Sequence, residues 1–158
     1  MVNIVIEVSK YLLILLIAAY TYWNFSYFRF RDPWQQGRVC VRQNAAMFLL
    51  HFVAYAVLFL KSEDERVILF YLAQVVFLAV YLGLYKVFYP LRSRLLVNNM
   101  CMLLCIGFVI LTRLDFDKAI RQFVIVAISA LITWIIPFIL ERVWQLANIP
   151  WVYGFAGL

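Results

Sequence analysis

Residues Val67–Tyr85 read VILFYLAQVVFLAVYLGLY, nineteen residues without a charge and with Gln74 as the main polar side chain. As a helix this run would cover about 28 Å, close to the roughly 30 Å hydrocarbon core of a bilayer. Four more runs lie outward from it: Tyr11–Phe28, Asn44–Leu60, Leu95–Leu111 and Phe123–Leu140, none holding Asp, Glu, Lys or Arg. The second and fourth are short for a span, so flanking residues are expected to extend them. The whole chain of 158 residues is 67% apolar with a mean hydropathy of +0.93, against about 45–50% apolar in soluble domains. Too little polar surface remains to cover such a core in water, so lipid is the solvent. In hydrocarbon the backbone must pair its own N–H and C=O groups, as helices or as a closed barrel. Barrel strands alternate over about ten residues, and these runs do not alternate. The sequence therefore predicts an all-α, polytopic helical membrane protein with five complete transmembrane helices.

The first run is no cleavable leader: no basic segment precedes it, and bulky aromatics with Arg29 follow it instead of small residues. The last ten residues, Ile149–Leu158, read IPWVYGFAGL. Pro150 suits the first turn of a helix, where its missing N–H is not needed. This is the expected start of a sixth span, and the chain is expected to be the amino-terminal piece of a longer protein. Breaks are expected near Arg31–Gly37, Lys61–Glu65 and Tyr89–Arg92. Asp32-Pro33 and Tyr89-Pro90 mark two of them, because a residue before proline is pushed out of the helical region.

Charge sets the orientation. The segment Arg29–Gln43 carries Arg29, Arg31, Arg38 and Arg42 against Asp32, and the segment after the third run carries Lys86, Arg92 and Arg94. Lys61–Arg66, reading KSEDER, holds three acids against two bases. Cytoplasmic loops are enriched in Lys and Arg, so the two basic segments face the cytoplasm and the amino terminus lies outside. Aromatics at Tyr20, Tyr22, Trp23, Tyr27 and Phe28, and again at Tyr85, Phe88 and Tyr89, fit an interfacial belt at the cytoplasmic ends. The net charge of +6 comes from bases beside helix ends, where they meet membrane lipids with anionic headgroups; it does not point to nucleic acid.

Chemistry-bearing residues are few. Cys101 and Cys105 share one face of the fourth helix, and His51 lies in the second. Soft thiolates favour copper or zinc, but buried cysteines ordinarily pack as small apolar residues, and that reading is preferred. Cys40 is expected in a loop on the reducing side. Asn24 and Gln74 are expected to hydrogen-bond between helices. Asp115 and Asp117 read as a solvated helix start. No Gly-rich phosphate loop, nucleophile elbow or HExxH occurs, and the sequence calls for no metal and no cofactor.

The most informative segment is Thr112–Leu140, TRLDFDKAIRQFVIVAISALITWIIPFIL. A short outer loop ends in Arg121-Gln122 and leads directly into an apolar helix. Trp151, Tyr153, Gly154 and Gly157 resemble an aromatic–Tyr–Gly–small–Gly pattern. Over Leu95–Leu158 the chain resembles the FtsW/RodA/SpoVE family of shape, elongation, division and sporulation membrane proteins. The likeness implies that residues 95–158 are the first helices of the family core and residues 1–94 a three-helix membrane extension. It implies a peptidoglycan glycosyltransferase of the bacterial plasma membrane, polymerising lipid-linked disaccharide-pentapeptide at the outer face beside a class B penicillin-binding protein. The family's essential acid lies in a later outer loop, so this stretch contributes scaffold and no catalytic residue. Arg113, Lys118 and Arg121 are candidate contacts for the pyrophosphate headgroup. The alternative is a small non-enzymatic multipass membrane protein, an assembly or regulatory subunit.

Overall fold

The computed structural model describes residues 2–89 and 93–142, with side chains described for 4–89 and 93–135. Among these residues the chain forms five helices and no strand: α1 (Val2–Arg29), α2 (Pro33–Ser62), α3 (Glu65–Phe88), α4 (Arg94–Leu114) and α5 (Phe116–Arg142). Each is long and apolar enough to cross a membrane. The expectations for Pro90 and for Ile149–Leu158, with Trp151, Tyr153, Gly154 and Gly157, fall outside the described residues.

The solvent is evident from which side chains are hidden. Gln43, His51 and Gln74 expose none of their surface, while Leu69, Phe25 and Leu103 expose 70% or more. A water-soluble protein does the reverse, keeping amides out and large apolar groups in. The protein is a multipass helical membrane protein.

Every helix is longer than its apolar run, because polar turns were added at the ends. The break expected at Arg31–Gly37 is confined to residues 30–32. Asp32 has extended backbone, its carboxylate accepts from the Trp34 N–H at 3.2 Å, and Pro33 opens the helix. That is a strong start signal, and it makes Gly37 and Cys40 helical. The Gln36 amide donates to the Phe30 carbonyl at 2.7 Å, occupying one of the acceptors left beyond the end of α1. Cys40 is therefore not in a loop; it is buried on α2.

The second break falls at Glu63 and Asp64, inside the expected Lys61–Glu65. Glu63 adopts left-handed backbone, with φ 51°, and its N–H returns to the Phe59 carbonyl at 2.8 Å, the usual way of closing a helix end. Asp64 then caps α3 through the Arg66 N–H at 2.9 Å, and the Arg66 guanidinium pairs with the same carboxylate at 2.9 Å. Those hydrogen bonds hold the Asp64 carboxyl below its ordinary range.

The outer loop expected over Thr112–Gln122 is a single residue. Asp115 sends its N–H back to Leu111 at 2.8 Å and accepts from the Lys118 N–H at 3.1 Å, so it ends α4 and starts α5. The Lys118 ammonium, 3.1 Å from the Asp115 carboxylate, helps keep that acid below its usual range. The solvated helix start is present; the loop around it is not.

Two compact units are formed, Met1–Arg121 and Gln122–Leu158. In the first, α2 is central and packs against α1, α3 and α4. In packing, α4 belongs with α1–α3. The described part of the second unit is the remainder of α5, whose Ile125, Ile128, Leu131 and Ile132 are all more than half exposed.

Candidate functional site

Alternate helices of an up-and-down bundle run parallel, so α2 and α4 end at the same face of the first unit. The last turn of α2 carries Lys61 and the last turn of α4 carries Arg113, where the negative end of each helix dipole favours a cation. Both line one cavity of about 360 Å³ together with Ser62 and Thr112. Its apolar wall includes Leu13 of α1, Ala54 and Leu58 of α2, and Val109 of α4. No carboxylate lines it, and among the described residues neither cation forms an ion pair. Two exposed cations beside an apolar groove suit an amphiphile with an anionic head and a hydrocarbon tail.

Of the three candidate headgroup residues, only Arg113 lines this groove. Lys118 is turned to Asp115 on the first turn of α5. Arg121 and Gln122 do not close a loop; they lie within α5, both exposed, on either side of the boundary between the two units. Lys61 was missed as a partner of Arg113. Its signal was its place in the last turn of a helix that must run parallel to α4.

Beneath the groove lie two polar layers. In the one farther from Lys61 and Arg113, the Gln43 amide donates to Asn24 Oδ1 at 3.1 Å, joining α2 to α1. Asn98 Nδ2 donates to Gln43 Oε1 at 3.2 Å and to the Cys40 carbonyl at 3.1 Å, joining α4 to α2. Tyr20 donates to Asn99 Oδ1 at 2.9 Å. The expectation for Asn24 holds; Gln43 and Asn98 were passed over, although an amide within or beside an apolar run is the visible signal for such a bond.

In the nearer layer, Thr112 donates its one hydroxyl proton to the Phe108 carbonyl at 2.7 Å, so Tyr55, 2.8 Å away, is the donor to Thr112 Oγ1. The Tyr55 ring lies 4.8 Å from His51 and 5.4 Å from Tyr71. Gln74 approaches the Tyr55 hydroxyl without reaching hydrogen-bond geometry, so its expected bond between helices is not made. Cys101 and Cys105 are wholly buried free thiols one turn apart on α4. Among the described residues no three His, Cys, Asp or Glu side chains converge to hold a metal ion.

Asn98→Ala is expected to destabilise the bundle by about 1–2 kcal/mol, since it strips donors from Gln43 and Cys40 where no water can replace them. Thermal unfolding in detergent checks this; an unchanged midpoint would mean the two bonds contribute nothing net.

No family profile, no curated protein and no solved structure matches the chain.

Proposed function

We propose that the chain is the amino-terminal membrane portion of a peptidoglycan glycosyltransferase of the FtsW/RodA/SpoVE kind. It sits in a bacterial plasma membrane with its amino terminus outside. The observation that carries this reading is the pairing of Lys61 with Arg113 beside an apolar groove. A lipid-linked disaccharide-pentapeptide presents a pyrophosphate at the membrane surface and a long hydrocarbon tail below it. The two cations match the pyrophosphate, and the wall of Leu13, Leu58 and Val109 matches the first part of the tail. The sequence likeness at Arg121-Gln122 and the Lys/Arg bias between the two faces support it independently. This portion supplies scaffold and substrate contacts; the catalytic acid belongs to a later outer loop, and a class B penicillin-binding protein is the partner.

The test is direct. The full-length gene product, purified with its penicillin-binding partner, should polymerise lipid-linked disaccharide-pentapeptide into glycan strands. Lys61→Glu with Arg113→Glu should lower the rate at subsaturating substrate by about tenfold or more, since each basic residue at a membrane surface contributes about 1 kcal/mol toward an anionic headgroup. If the wild-type protein makes no polymer, the reading fails. The exposed apolar surface of α5 favours the second reading, a non-enzymatic subunit that docks other membrane helices, and that reading would take its place.

A further inference from the structure

The opposite end of the first unit holds a second cavity, of about 240 Å³, between α2, α3 and α4. Lys86, in the last turn of α3, and Arg94, in the first turn of α4, both line it. The Arg94 guanidinium lies over Gly37, where an added Cβ would stand 3.5 Å from its Nη1. No carboxylate lines the cavity, and among the described residues neither cation has an ion-pair partner. A third feature points to a ligand. Asn44 lines the same cavity, and its Oδ1 is buried without any hydrogen-bond donor. A buried acceptor in a membrane interior is costly unless something donates to it. Val41 and Gly83 also line it and are exposed, so the cavity is open on that side.

We propose that this cavity is a selective site for an anionic glycerophospholipid whose headgroup carries a free hydroxyl, of the phosphatidylglycerol kind. The phosphodiester lies between Lys86 and Arg94, a headgroup hydroxyl donates to Asn44 Oδ1, and an acyl chain leaves past Val41 and Gly83. Basic pockets between membrane helices are a recurring setting for such headgroups. The unpaired Asn44 oxygen adds a preference that charge alone does not give. The assignment needs only a membrane-embedded chain and stands apart from the polymerase proposal.

The full chain, purified in phosphatidylcholine nanodiscs, is titrated with phosphatidylglycerol and with phosphatidylmethanol, which has the same charge but no hydroxyl, and retained lipid is counted by native mass spectrometry. Phosphatidylglycerol should be retained about thirtyfold over phosphatidylcholine, as expected for two cations. It should be retained about fivefold over phosphatidylmethanol, as expected for one hydrogen bond. Lys86→Gln with Arg94→Gln should abolish the first ratio. Lys86→Arg with Arg94→Lys should keep it, which separates lost charge from lost folding. Asn44→Ala should abolish only the second ratio. Equal retention of phosphatidylglycerol and phosphatidylcholine would overturn the site as ordinary interfacial attraction. Displacement by equimolar inorganic phosphate would overturn the lipid as its occupant. Equal retention of the two anionic lipids would overturn the role of Asn44.

Discussion

Phe108→Ala is expected to destabilise the first unit by about 2–3 kcal/mol. Phe108 is 1% exposed on α4, and its backbone carbonyl accepts from Thr112, so the substitution removes the ring without disturbing that bond. In water the loss would include moving an apolar ring out of solvent. In a bilayer the separated helices already rest in hydrocarbon, so that contribution largely vanishes and packing remains. An unfilled space on the order of 100 Å³, at about 24 cal/mol per Å³, gives the figure stated. Leu103→Ala, at a side chain 70% exposed on the same helix, should change stability by less than about 0.5 kcal/mol. Unfolding in detergent micelles measures both. Equal effects at the two positions would contradict the assignment of Phe108 to the interior.

The second large effect is all-or-none. A cysteine replacing Asp117 should react with a membrane-impermeant thiol reagent in intact cells, and one replacing Arg31 only after the membrane is opened. Asp117 is exposed on the first turn of α5, and Arg31 is exposed in the connection between α1 and α2. The physical motive is the net +3 of Arg29–Gln43 against the net +1 of Thr112–Gln122. Native thiols do not interfere, since Cys40, Cys101 and Cys105 are all buried. The reverse labelling pattern would place Lys61 and Arg113 in the cytoplasm, on the wrong side for a polymerase of extracellular glycan.

The five spans were legible because uncharged runs of this length have one stable outcome in lipid. Their ends were not. Residues 33–43 (PWQQGRVCVRQ) hold two arginines, three glutamines and a glycine, and they read as a loop when judged by polarity. They are helical because Asp32 and Pro33 start a helix there and because about three further turns of α2 are free to stand in the polar headgroup layer. The segment Phe116–Gln122 is helical for the same reason: the helix start read at Asp115 is present, and α5 runs on from it without a loop. The candidate site was half legible. Arg113 stood out as a cation at a helix end, but its pairing with Lys61 joins helices that are not consecutive, as does the bond from Asn98 to Gln43, 55 positions apart. Side chains that meet across such separations leave no local pattern. Gln74 shows the opposite failure: a lone amide in an apolar run invites a bond between helices that the folded chain does not make.

The two polar layers between α2 and α4 act at different depths. Gln43 and Tyr55 are twelve residues apart on α2, about 18 Å along its axis. A pair of rods pinned at two heights cannot slide. A piston displacement of one helical turn, about 5.4 Å, would tear out both sets of bonds together, between side chains that are buried from water. Shear between these two helices is therefore closed to the molecule as a working motion. Any conformational cycle carries α2 and α4 as one strut, with Lys61 and Arg113 kept on the wall of the same cavity throughout.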